Sequence, residues 1–127
     1  MSRLTVYLAR LIGLFTVLLI GAMLMQGSAT VEAAVADKPL MFTYAIISLG
    51  LGVAMVLGHN VWSRGALPAV VSLVGWLILA KGLALLLAPG MFERMQYREH
   101  FYLYLAPSLV IGLYLAWAGF TARAAQD

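Results

Sequence analysis

The stretch LPAVVSLVGWLILAKGLALLL, from Leu67 to Leu87, decides the fold. It carries a single charge, Lys81. At about 1.5 Å per residue, a helix of this length crosses the ~30 Å hydrocarbon layer of a bilayer. Pro68 stands in its first turn, where a missing N–H removes no helical bond. Pro89-Gly90 stops the helix.

Three further apolar runs flank it, over residues 4–25, 40–62 and 102–120. Of the 127 residues, 64% are hydrophobic and 10% charged. Soluble domains are nearer half apolar and a quarter charged. The mean hydropathy of +0.97 agrees that lipid is the main solvent. In lipid the backbone must satisfy its own hydrogen bonds, which leaves helices or closed barrels. Barrel strands alternate apolar and polar residues. These runs are unbroken, so the expected fold is all-α: one polytopic membrane domain over 1–127, with four transmembrane helices in an up-down bundle.

The segments between the runs are polar. Gln26 to Lys38 reads as a connector carrying Glu32, Asp37 and Lys38. Ser63-Arg64-Gly65 reads as a tight turn, and 91–101 as an interfacial segment with Glu93, Arg94, Tyr97, Arg98, Glu99 and His100. Arg10 interrupts the first run near one interface, where its long side chain can snorkel. A second reading of the N-terminus is a signal peptide, with Arg3 and Arg10 before the apolar stretch and Ala34-Val35-Ala36 before Asp37 as a cleavage site. The long apolar stretch and the remoteness of that site favour an uncleaved helix.

With four spans, Arg3, Arg10, Arg64 and Arg123 share one side, and Lys38, Arg94 and Arg98 the other. The positive-inside rule then places both termini inside. The balance of four against three is narrow.

Small residues recur four apart: Ala9 and Gly13; Gly50, Ala54 and Gly58; Ala80, Ala84 and Ala88; Ser108, Gly112 and Ala116. Such spacing puts each set on one helix face and permits close backbone approach. Packing within the bundle is the expected use, and a homo-oligomer interface is the alternative. No internal repeat supports an inverted-repeat transporter.

Lys81 is the most informative single residue, because a lysine inside a span is costly unless paired or able to reach water. Its depth matches Tyr44 and Ser48 on the second span and Ser108 on the fourth. These residues form a candidate intramembrane polar site. Snorkelling, a structural tie and an ion or proton site all remain open for it, with Glu32 or Asp37 as possible folding-in acids. At the opposite end, His59, Asn60 and Arg10 form a candidate polar cluster. A histidine there can titrate near neutral pH, but capping of free carbonyls at the helix end is the favoured role. Trp62 suits the interfacial aromatic belt, and Trp76, near mid-span, suits packing.

Other chemistries lack residues. There is no cysteine, hence no disulfide or thiolate site. His100 with Glu93, Glu99 and Arg98 is weak ligand chemistry and reads as a solvated face, with Arg94 and Arg98 facing lipid phosphates. No triad, phosphate loop or His-Glu-x-x-His pattern occurs. Catalytic, cofactor and metal sites are therefore expected to be absent. The +3 net charge is scattered, with no nucleic-acid signal.

The pattern Leu57-Gly58-His59-Asn60-Val61-Trp62, then Pro68, Gly75-Trp76-Leu77, Lys81-Gly82 and Pro89, resembles one in small uncharacterised bacterial membrane proteins. It covers about a quarter of the chain. It implies a bacterial cytoplasmic (inner) membrane and draws attention to His59, Asn60, Trp76 and Lys81, but it implies no activity. The chain does not resemble the small multidrug or fluoride-channel families, since the intramembrane glutamate of the first and the polar span residues of the second are missing. The leading expectation is a non-enzymatic accessory or scaffold subunit, partnered by lipid and by a membrane protein or further copies of itself. The alternative is a small oligomeric transporter or channel built on Lys81.

Overall fold

A computed structural model describes residues 2–93 and 99–122, apart from the side chains of Phe92 and Glu93. Among these residues the chain is helical, with no strand. The elements are α1 (Arg3–Gln26), α2 (Ser28–Ala36), α3 (Lys38–Gly58), α4 (Ala66–Leu87), α5 (Gly90–Glu93) and α6 (Phe101–Thr121). Helices α1, α3, α4 and α6 are long and apolar enough to cross a membrane.

Local chemistry sets the boundaries. The Ser2 hydroxyl accepts a bond from the Thr5 N–H at the start of α1. Asp37 does the same for Leu40 at the start of α3, where Pro39 occupies the first turn. Gly27, at φ 90°, breaks α1 from α2 in a conformation that other residues rarely adopt. Beyond it the expected connector proves helical. Ser28–Ala36 holds four alanines and neither Gly nor Pro, so a turn at Gly27 suffices and the helix resumes. The second span ends at Gly58 rather than at residue 62, because His59 leaves the helical region at φ −147°. Of the expected interfacial segment 91–101, residues 94–98, with Arg94 and Arg98, lie outside the described residues. So does Arg123.

The four long helices form two antiparallel pairs, α1 with α6 and α3 with α4. Glycine brings each pair together. A Cβ on Gly13 would stand 2.3 Å from the Ala116 nitrogen, and one on Gly119 would stand 2.9 Å from the Arg10 nitrogen. In the other pair, a Cβ on Gly52 would lie 2.5 Å from Leu79 backbone, and one on Gly82 would lie 2.6 Å from the Leu49 nitrogen. These approaches exist only because no side chain intervenes.

The small-residue sets divide accordingly. Inside the α1/α6 pair Gly13 meets Ala116, Ala9 meets Gly119 and Gly112 meets Thr16, so these small residues pack within the bundle, as expected. Ser108, of the same set, is exposed. The set Gly50, Ala54 and Gly58 points outward, with nothing within 4 Å of a Cβ on either glycine. Helix α3 turns Ala45, Ser48 and Gly52 to its partner instead. On α4, Ala80 and Ala88 are exposed, and Gly75 and Gly82 make the close contacts. Four-residue spacing could not tell one face of a uniformly apolar helix from another.

The pairs join unevenly. At one end Ala9, Leu67, Val71, Val74 and Leu115 form a core shared by α1, α4 and α6, with Met55 of α3 packed against it. Toward the other end, Ile20, Phe101 and Leu105 form a second core, lined by Met23, Val31 and Leu109. Every member of the second core belongs to α1, α2 or α6.

Substitution separates inward from outward glycines. Gly13→Leu and Gly82→Leu are expected to lower stability by about 1–3 kcal/mol or more through overpacking. Gly50→Leu and Gly58→Leu should stay within ~0.5 kcal/mol, as surface changes do. Thermal unfolding in mild detergent measures the difference.

Candidate functional site

The end that carries the shared core also gathers a chain of polar side chains. Thr5 sits in the first turn of α1, His59 just past the end of α3, and Ser72 in the second turn of α4. Up-down topology brings these three positions to one end. All three side chains are buried.

The hydrogen bonds fix the histidine's tautomer. Ser72 Oγ accepts from the Val61 N–H at 2.8 Å and donates its single proton to the Val61 carbonyl at 2.9 Å. Its remaining contact, 3.0 Å to His59 Nδ1, is therefore an Nδ1–H donating to Ser72 Oγ. That leaves Nε2 bare, and Thr5 Oγ1 donates to it at 2.8 Å. Thr5 Oγ1 in turn accepts from Ser2 Oγ, also at 2.8 Å. Each hydroxyl proton has one acceptor. Through this chain, an imidazole and a serine hold the 59–65 loop, α1 and α4 together in an apolar setting, where such bonds are strong and orphaned partners costly.

Burial lowers the pKa of His59, while its backbone hydrogen bond opposes the shift. The cause is desolvation of the charged ring. Protonation would also turn Nε2 from acceptor to donor and force Thr5 to reverse its hydroxyl.

The expected cluster of His59, Asn60 and Arg10 is thus partly corrected. His59 stands at the helix end as expected, but its ring bonds Thr5 and Ser72 rather than α3 carbonyls. Asn60 is exposed and accepts from two indoles, Trp62 Nε1 at 2.5 Å and Trp76 Nε1 at 3.3 Å. Trp76, 43% exposed, thus adds to its expected packing role an indole N–H that donates toward this end. Arg10 joins a different contact: its Nε donates to the Gly119 carbonyl at 2.7 Å, and its guanidinium lies 5.5 Å from the Phe120 ring centroid. Gly119 lies in the last turn of α6, where a cation meets unpaired carbonyls favourably.

Lys81 lies at the other end. Six residues separate it from Leu87, which places it about 9 Å from the end of α4. Its ammonium donates to the Tyr44 hydroxyl and stands 4.8 Å from that ring's centroid. The expected partners Ser48 and Ser108 are not joined to it. The Ser48 hydroxyl is buried and donates to the Ile78 carbonyl at 3.0 Å, and Ser108 is exposed. Among the described residues no three of His, Asp and Glu gather as metal ligands. Glu99 is exposed, and the half-buried His100 ring lies against Tyr104 at 5.8 Å.

Thr5 and Ser72 escaped the sequence reading, although a signal existed. Each is a hydroxyl inside an apolar run, a few residues from the end that the topology sets beside His59. No family model matches the chain, and neither a curated protein nor a solved structure does so.

The lowered His59 pKa has a definite consequence. Below the ordinary value of about 6.5, the unfolded chain binds a proton that the folded chain resists. Stability is therefore complete above that value and falls as the pH drops below it. Melting temperature in detergent should decrease between pH 7.5 and 5, and His59→Gln should flatten that dependence while lowering stability at pH 7.5.

Proposed function

We propose that this chain is a non-enzymatic integral membrane protein, an accessory or scaffold component of a larger assembly in the bacterial cytoplasmic membrane, with both termini inside. One observation carries the reading. The buried polar side chains among the described residues, Thr5, Ser48, His59 and Ser72, are all engaged in bonds that tie one segment of the bundle to another. Polar groups used in this way fix the arrangement of helices. A pathway or a catalytic centre would instead leave some of them turned toward a common space.

A small oligomeric transporter is the second reading, favoured by the cation of Lys81 within a span. Its tie to Tyr44 supports the structural role, and His59 lies at the opposite end of the bundle.

Purification of the tagged protein from its native membrane in gentle detergent, with mass determination of the eluate, tests the reading. The expected result is a heteromeric complex that survives Lys81→Met. A lone monomer or homo-oligomer, with flux across liposomes that Lys81→Met abolishes, would establish the transporter instead.

A further inference from the structure

Two lysines, Lys38 and Lys81, lie near an apolar hollow at the end of the bundle away from His59. The hollow has a volume of about 430 Å³ and is lined by Val35, Lys38, Met41, Phe42, Leu85 and Leu86. It is formed by the last turn of α4, the first turns of α3 and the end of α2. Its volume lies within the ~300–1,000 Å³ of small-ligand sites, which are likewise mostly apolar with a few polar groups. Its position at the helix ends is where lipid head groups meet acyl chains.

Lys81 stands one turn from Leu85 on the same face of α4. Its ammonium has three donors, and the contacts it makes, to the Tyr44 hydroxyl and ring, involve neutral groups. Asp37, beside Lys38, accepts a bond from the Leu40 N–H as the cap of α3. The lysine stem is long enough to carry its charge toward the head-group level from about 9 Å below the helix end. Lys38 thus lines the apolar recess, and Lys81 stands one turn from Leu85, which lines it too, within reach of the level of an anionic head group.

We propose that this recess binds an anionic lipid, with an acyl chain in the hollow and the phosphate held between Lys38 and Lys81. A cation near the membrane surface contributes about 1 kcal/mol to such binding.

The test is native mass spectrometry of the purified full chain, titrated with phosphatidylglycerol or with phosphatidylcholine of the same acyl chains. The expected result is preferential retention of phosphatidylglycerol. Lys38→Gln and Lys81→Gln should each weaken it about five-fold, and together remove the preference. Leu86→Trp, which fills the hollow and spares both charges, should weaken both lipids. Equal retention of the two lipids by the native chain would overturn the proposal, as would a preference that survives the double lysine change. Competition by inorganic phosphate at the same concentrations as the lipid would overturn the acyl part and leave a simple anion site. The lysine variants change exposed or half-exposed side chains, so thermal melts in parallel confirm that any loss reflects binding.

Discussion

Lipid tails are as apolar as the helices they surround, so apolar surface alone cannot hold this bundle together. What holds it is backbone contact at glycine. Gly13, Gly112 and Gly119 bring α1 and α6 together, and Gly52, Gly75 and Gly82 do the same for α3 and α4. Dispersion between closely apposed backbones is the gain, and it vanishes where a single methyl group would intervene. The order of helices in the bundle follows: the pairs form where the glycines are, and sequence neighbours α1 and α3 do not pair.

Contact between the two pairs depends on a smaller set of groups. One is the shared apolar core around Val71 and Leu115. Another is the polar chain from Ser2 through Thr5 and His59 to Ser72 and the Val61 backbone. A polar chain in this setting gives direction and register that apolar packing lacks. It also concentrates the fastening at one end. At the other end, the second core excludes α3 and α4, and the recess beside Leu85 opens. The proposed roles follow that asymmetry, with a fastened end at His59 and a lipid-accessible end near Lys38 and Lys81.

Much of the architecture was legible in the residues. Unbroken runs of Leu, Ala, Gly and Val gave four spans within a few residues of their limits. Of the three partners that depth suggested for Lys81, only Tyr44 is joined to it, and the ammonium reaches it from the level of Leu49, which packs beside Gly82. Other features were not legible. Helix α2 lies within the stretch that reads as a polar connector, because Glu32 and the flanking Asp37 and Lys38 dominate the polarity there, while the alanines of α2 set its backbone. The outward turn of Gly50, Ala54 and Gly58 was hidden because α3 is apolar on every side, and only the partner's position decides which glycine is buried. His59 was noticed for its titration, but its partners were not. Thr5 and Ser72 are ordinary residues of apolar helices until topology places them beside an imidazole.

The absence of cysteine allows the glycine-based pairing to be tested by disulfide mapping. A Cβ on Gly112 would lie 3.0 Å from the Thr16 Cβ, close to the ~3.8 Å separation of a disulfide. Thr16→Cys combined with Gly112→Cys should therefore cross-link within one chain under mild oxidation in native membranes, and Thr16→Cys combined with Gly50→Cys should not. Cross-linking of the second combination but not of the first would contradict the pairing of α1 with α6, and with it the account of how this bundle is held together.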